Sequence, residues 1–110
     1  MAKQKRIAKN EFRYNHKEKH TNYIFEDDGK NYRAVGITHH KKTFGKKNMP
    51  LDSNPQRGKN EKAYIRNGVI TARKSIFSNK TDKRFSFSKS DKSKVKSKIR
   101  NFKRSRKKRK

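Results

Sequence analysis

The chain has 110 residues, with 35 Lys and Arg against 9 Asp and Glu, a formal net charge of +26 and a pI near 10.8. Only 26% of the residues are hydrophobic and 40% are charged, which excludes a large globular core. A compact unit of at most ~60 residues is expected, because so little apolar area can offset the entropy of ordering the chain. The absence of Cys excludes disulfide frameworks, thiol nucleophiles and Cys-based zinc sites, and accords with a reducing compartment.

The longest apolar runs, about four to five residues, fall far short of the roughly 18 needed to span a bilayer. No apolar signal-peptide core stands near the N-terminus, so a cytoplasmic protein without a membrane partner is expected, or a nuclear one if the source is eukaryotic. The excess of Lys (24) over Arg (11), with abundant Asn, fits an AT-rich bacterial or phage genome.

Residues 1–19 are basic and polar. Ile7, Phe12 and Tyr14 are too sparse to form a convincing apolar face, which predicts a flexible or weakly helical leader. Asn22 to Glu26 is rich in strand formers, Asp27-Asp28-Gly29-Lys30 has turn chemistry, and Asn31 to Thr38 resumes with Tyr32, Val35 and Ile37. A β-hairpin is predicted there.

Residues 39–61 contain Gly45, Pro50, Asn54, Pro55 and Gly58 and read as a long basic loop, interrupted by a short strand at Asn48 to Leu51. Ala63-Tyr64-Ile65 and Val69 to Ala72, joined through Asn67-Gly68, predict a second hairpin with a type I′ turn. Arg84 to Ser88 alternates Phe85 and Phe87 on one face, as a last half-buried strand would. Ser90 then suits an N-cap, Asp91 suits a first helical turn, and Val95, Ile99 and Phe102 form one apolar stripe of a short helix.

From Lys103 to Lys110 only Ser105 is uncharged, and such a run repels itself and is expected to stay disordered until phosphates neutralise it. The fold class expected is therefore mainly β (α+β). It is a small antiparallel sheet or partly open barrel over 20–88, with a C-terminal basic helix and disordered tail in 89–110.

Charge density rises along the chain. Residues 1–50 carry 13 basic and 5 acidic side chains, 51–87 carry 9 and 3, and 88–110 carry 13 and 1. Such an excess attracts phosphate backbones, since each neutralised phosphate releases counterions. The tail candidates for phosphate contact are Arg100, Lys103, Arg104, Arg106, Lys107, Lys108, Arg109 and Lys110, although a nuclear-localisation signal or a solubilising tail reads the same. In the body the candidates are Lys41, Lys42, Lys46, Lys47, Arg57 and Arg66. Phe44 and Tyr64 are the rings most open to base stacking, while most other aromatics are needed for the core.

Thr38 and His39 are candidate catalytic residues, because an imidazole can give or take a proton near neutrality beside a phosphate held by the lysines. No metal or cofactor is expected. His16, His20, His39 and His40 lack ligand spacing, and no Gly-rich phosphate loop, Ser/His/Asp set or paired carboxylates occur.

The run His20-Thr21-Asn22-Tyr23-Ile24-Phe25, the segment Arg33 to His39, then Asn48-Met49-Pro50-Leu51 and Ala63-Tyr64-Ile65-Arg66 together resemble the layout of MazF/PemK-type toxins. The resemblance covers residues 20–66. It implies an SH3-like barrel, metal-independent cleavage of single-stranded RNA and an antitoxin partner, with the family's Thr falling on Thr38. The family's strand-opening Pro is here Thr21, its Arg has only Lys17, Lys19 or His20 nearby, and its initial Gly-Asp strand is missing from residues 1–19.

The function expected from charge and aromatic placement is nucleic-acid binding, with RNA favoured over DNA. The alternatives are an endoribonuclease of the toxin class, and an interaction protein that docks on an acidic antitoxin-like protein or on the ribosome.

Overall fold

The computed structural model describes the backbone of residues 10–108 and the side chains of residues 10–101. In chain order it contains β1 (Glu11–Asn15), β2 (His20–Asp27), β3 (Asn31–Thr38), β4 (Lys42–Thr43), β5 (Lys46–Lys47), β6 (Met49–Pro50), β7 (Tyr64–Ile65), β8 (Ile70–Arg73) and, after a 3₁₀ turn at Lys74–Ile76, α1 (Lys89–Lys108). The architecture is mainly β. A six-stranded antiparallel sheet runs β1-β2-β3-β7-β6, with β8 also paired to β3, and β4–β5 forms a separate two-stranded ribbon. Among the described residues the sheet does not close on itself.

The first hairpin forms as its sequence predicts. The Asp27 carboxylate accepts from the Gly29 amide at 2.8 Å, Asp28 accepts from Lys30 and Asn31 at 3.1 and 2.8 Å, and Gly29 takes φ +102°. The Asn31 and Lys30 amides hold the Asp28 carboxyl below its ordinary pKa.

A β-bulge follows on β2. Ile24 opposes Ala34 and Glu26 opposes Arg33, leaving Phe25 as the extra residue. Bulges bend and twist a strand pair. Beyond the bend, β3 is shared end to end along its second edge, Asn31 to Ala34 pairing with β8 and Ile37 to Thr38 with β7.

Three sequence expectations are corrected here. Residues 11–15 are a strand on β2 rather than part of a flexible leader, because Phe12 packs on Tyr23 with ring centroids 5.1 Å apart and fills the core. One well-placed ring thus outweighs the polar composition around it.

The segments around Asn67-Gly68 do not pair with each other; β7 and β8 both pair with β3. A lone two-stranded hairpin is marginal in water, whereas adding to a central strand buries the same residues. Residues 84–88 are not a strand, since only a Gln56–Phe85 bridge forms. Phe85 and Phe87 nevertheless share a face, packing on Phe12 at 5.5 and 4.9 Å.

The sheet is buried on both faces. Phe12, Tyr23, Phe25, Val35, Leu51, Ala63 and Ile65 meet Val95 and Ile99 of α1 on one side, and Ile24, Tyr32, Ala34 and Phe77 form a smaller cluster. Asp82 ties the end of this body together, accepting from Thr21 Oγ1 at 2.8 Å and from Arg84 Nη2 at 2.7 Å. The Arg84 guanidinium leads in holding the Asp82 carboxyl down to about 2.

Helix α1 is capped two residues earlier than Ser90, by Ser88. The Ser88 hydroxyl accepts from the Asp91 amide at 3.2 Å, and Ser90 instead donates to Asp52 at 2.6 Å. Asp91, Val95 and Ile99 are buried at successive steps of four, so the apolar stripe begins with a carboxylate. That carboxylate accepts from the Asp52 and Ser53 amides at 2.7 and 3.1 Å and anchors the helix to the loop after β6.

Asp91→Ala orphans both amides and is expected to lower unfolding free energy by about 2 kcal/mol, read as a lower urea midpoint. Ser90→Ala, at an exposed site, is expected to cost under ~1 kcal/mol. Equal midpoints for the two variants would refute the anchoring role.

The helical backbone of α1 runs on through Lys103 to Lys108, and the side chains of residues 102–108, among them the tail cations expected to meet phosphate, lie outside the described residues. Arg109 and Lys110 lie outside the described residues, as do residues 1–9 of the expected leader. Among the described residues, no helix is long and apolar enough to cross a membrane.

Candidate nucleic-acid interface

The loop expected after β3 contains an additional element, the ribbon β4–β5, which pairs Lys42 with Lys47 and Thr43 with Lys46. Its tip is Phe44-Gly45, with φ of +53° and +77°. Positive φ at both central residues is what a two-residue type I′ hairpin turn requires. Gly adopts it without strain, but a bulky ring rarely does.

The Phe44 side chain is 92% exposed, and Lys41, Lys42, Lys46 and Lys47 are exposed around it. Tyr64, the other ring expected to be open, is 8% exposed and belongs to the sheet. Its strand pairs between β3 and β6, which closes it off.

Two Asn side chains clamp the ribbon to the body. Asn48 Nδ2 donates to Thr43 Oγ1 at 2.8 Å and to the His40 carbonyl at 3.0 Å. Asn67 Nδ2 reaches the Lys46 carbonyl at 3.0 Å and Asn48 Oδ1 at 2.9 Å. Asn67 therefore serves the ribbon rather than a hairpin of its own.

Beside the ribbon lies a cleft of about 240 Å³ lined by Glu18, His20, Asn22, Gly36, Ile37, Thr38, His40, Thr43 and Arg66. Strand alternation builds its floor. Asn22 opposes Gly36, so His20 and Asn22 on β2 share a face with Gly36 and Thr38 on β3. Gly36 is needed here for close approach, because a Cβ would stand 2.8 Å from Cδ of Arg66, whose backbone amide donates to the Gly36 carbonyl at 2.9 Å. The guanidinium of Arg66 stands 3.8 Å from Glu18, with both side chains 30% exposed.

Of the two expected catalytic residues, the structure brings only Thr38 into the cleft. His39 is exposed, with Nδ1 3.4 Å from the Lys62 carbonyl, because alternation past Thr38 turns it away. His20 and His40 line the cleft instead, and the His40 amide donates to Thr38 Oγ1 at 3.2 Å. Of the expected body cations only Arg66 reaches this cleft, while Arg57 is exposed on the loop between β6 and β7.

On α1, Arg100 is exposed in line with Lys92 and Lys96, two cations that composition alone did not single out. Their spacing of four would have found them. The places of His20 and Asn22 needed the strand register, and that of Glu18 the turn between β1 and β2, neither of which a polar stretch reveals. Among the described residues, no group of three or more His, Asp or Glu is arranged to hold a metal. In comparisons of this chain with known proteins, no family model matched, and neither the curated proteins nor the solved structures gave a match.

Proposed function

We propose that this chain binds single-stranded nucleic acid, RNA in preference to DNA, through its basic ribbon, the cations of α1 and the exposed ring of Phe44. The observation that carries the proposal is Phe44, a 92% exposed aromatic at the tip of a lysine-rich ribbon. A core has no use for that ring. An unpaired base offers a π-face to it while neighbouring ammonium groups hold the phosphates.

Phe44→Ala is expected to weaken binding of a fluorescent single strand of about 12 nucleotides by about 1–3 kcal/mol, measured by anisotropy, and to leave duplex binding unchanged. Equal effects on single strand and duplex, or no effect on either, would refute stacking by this ring. Copurification that survives nuclease treatment would favour an acidic protein or ribosomal partner instead.

A second reading is favoured by the gathering of His20, His40, Thr38 and Arg66 around one cleft, a set suited to metal-independent RNA cleavage. It agrees with the resemblance to MazF/PemK-type toxins. The bulged β2, the shared β3 and the strand β1 ahead of them support the finer description of the fold as a partly open SH3-like barrel.

A further inference from the structure

Among the described residues, the cleft has one buried polar atom without a partner. Asn22 is 0% exposed, and its Nδ2 has no hydrogen-bond partner. Its orientation is fixed by a relay. The Lys17 and Glu18 amides donate to Asn15 Oδ1 at 3.0 and 2.9 Å, so the other end of the Asn15 amide must be Nδ2. That Nδ2 donates to Asn22 Oδ1 at 2.8 Å, which leaves Asn22 Nδ2 on the remaining side. Rotating Asn22 would set two NH₂ groups against each other and is disfavoured.

Asn22 lines the cleft, and its Nδ2 lies 3.7 Å from the space above Gly36 where a Cβ would be. A buried donor left unsatisfied is costly, and an acceptor placed against it recovers that cost.

The surroundings select the kind of acceptor. Thr38 and Thr43 already accept hydrogen bonds through Oγ1, from the His40 amide and from Asn48, which leaves each hydroxyl hydrogen able to donate. Arg66 adds a guanidinium, and the cleft's one carboxylate, Glu18, is loosely paired with it at 3.8 Å. A donor-rich cleft of this make-up suits an oxyanion and disfavours a cation. Its volume, about 240 Å³, equals roughly eight waters at ~30 Å³ each, which is room for a phosphate group with part of a sugar.

We infer that the cleft is a phosphodiester-binding pocket, in which Asn22 Nδ2 and Arg66 donate to the non-bridging oxygens of one backbone phosphate and Glu18 competes with that phosphate for Arg66. The inference rests on the proposed nucleic-acid binding. The pocket would fix the register of a strand that the ribbon holds only loosely.

The test follows the side-chain NH₂ signals of Asn22 in the ¹⁵N-labelled full chain, assigned by their loss in Asn22→Asp. The titrant is a 2′-O-methylated oligouridylate of about six nucleotides, within the usual site size for single-strand modules. The Asn22 NH₂ signals are expected to shift with the same midpoint as the ribbon amides of Lys42 to Lys47. Asn22→Asp keeps the oxygen that accepts from Asn15 and replaces the donor with charge; it is expected to weaken binding about tenfold. Glu18→Gln is expected to tighten binding by about threefold, since a long, partly exposed pair of this kind is weak and its loss frees Arg66 for the phosphate.

Should Asn22→Asp fail to fold, the wild-type shift and the Glu18→Gln effect still decide the matter. Ribbon amides that shift while Asn22 stays unmoved would overturn the pocket and leave nucleic-acid binding standing. If neither set moves, both are overturned.

Discussion

Truncation after Phe102 is expected to weaken binding to single-stranded RNA by about a hundredfold near 0.1 M salt. The truncation removes seven cations, all the Lys and Arg from Lys103 to Lys110, and keeps the buried Val95 and Ile99 of α1. Each phosphate neutralised on a single strand adds about 0.7 to the slope of log affinity against log salt, so three or four engaged side chains account for roughly two decades.

The slope itself is the sharper readout. It should fall by about 2–3 on truncation, and an unchanged slope would show that these residues are not the capturing charge. Since α1 runs to Lys108, Lys103 and Lys107, and Arg104 and Lys108, stand four apart along the helix, and like charges at that spacing disfavour a helix by ~0.2–0.5 kcal/mol per pair. Bound phosphate relieves that repulsion. Helix content measured by circular dichroism should therefore rise on binding in the full chain and stay level in the truncated one.

His40→Ala is expected to reduce RNA cleavage in EDTA by about 10²–10⁴-fold, whereas His39→Ala should leave it near wild type. The second reading requires one group to take the 2′-hydroxyl proton as the 2′-oxygen attacks phosphorus, and another to give a proton to the departing 5′-oxygen. The phosphorus–5′-oxygen bond breaks, and the products are a 2′,3′-cyclic phosphate and a 5′-hydroxyl.

His20 and His40 are the two imidazoles in the cleft, and Arg66 is positioned to offset the charge gathering on the phosphate oxygens. His39, turned toward the Lys62 carbonyl, has no place in such a step. Equal losses from His39→Ala and His40→Ala would reject this geometry, and an inert wild type would reject cleavage altogether while leaving binding untouched.

The first hairpin and the helix stripe were legible in the residues because both are local. Turn chemistry at Asp27 to Lys30 and the spacing of four between Val95 and Ile99 carry their own instructions, while the side chain of Phe102, three further on, lies outside the described residues. The strand β1 was not legible, because its contribution is a single ring, Phe12, whose partners Tyr23, Phe85 and Phe87 are distant in sequence. Asn67-Gly68 misled for a related reason. Its turn signal is local, but the competing partner, β3, is not.

By itself the sequence determined the charge of +26, its concentration near the C-terminus, the lack of thiol chemistry and the mainly β character of the middle of the chain. These follow from composition and short-range pattern. Tertiary structure decided which part of that charge is organised. The ribbon clamped by Asn48 and Asn67 presents Phe44 to solvent, and strand register carries His20, Asn22, Gly36 and Thr38 onto one face. His39 is excluded by the same alternation. A one-residue change of register moves every side chain to the other face, so the membership of the cleft depended on pairings between strands rather than on any run of residues within one.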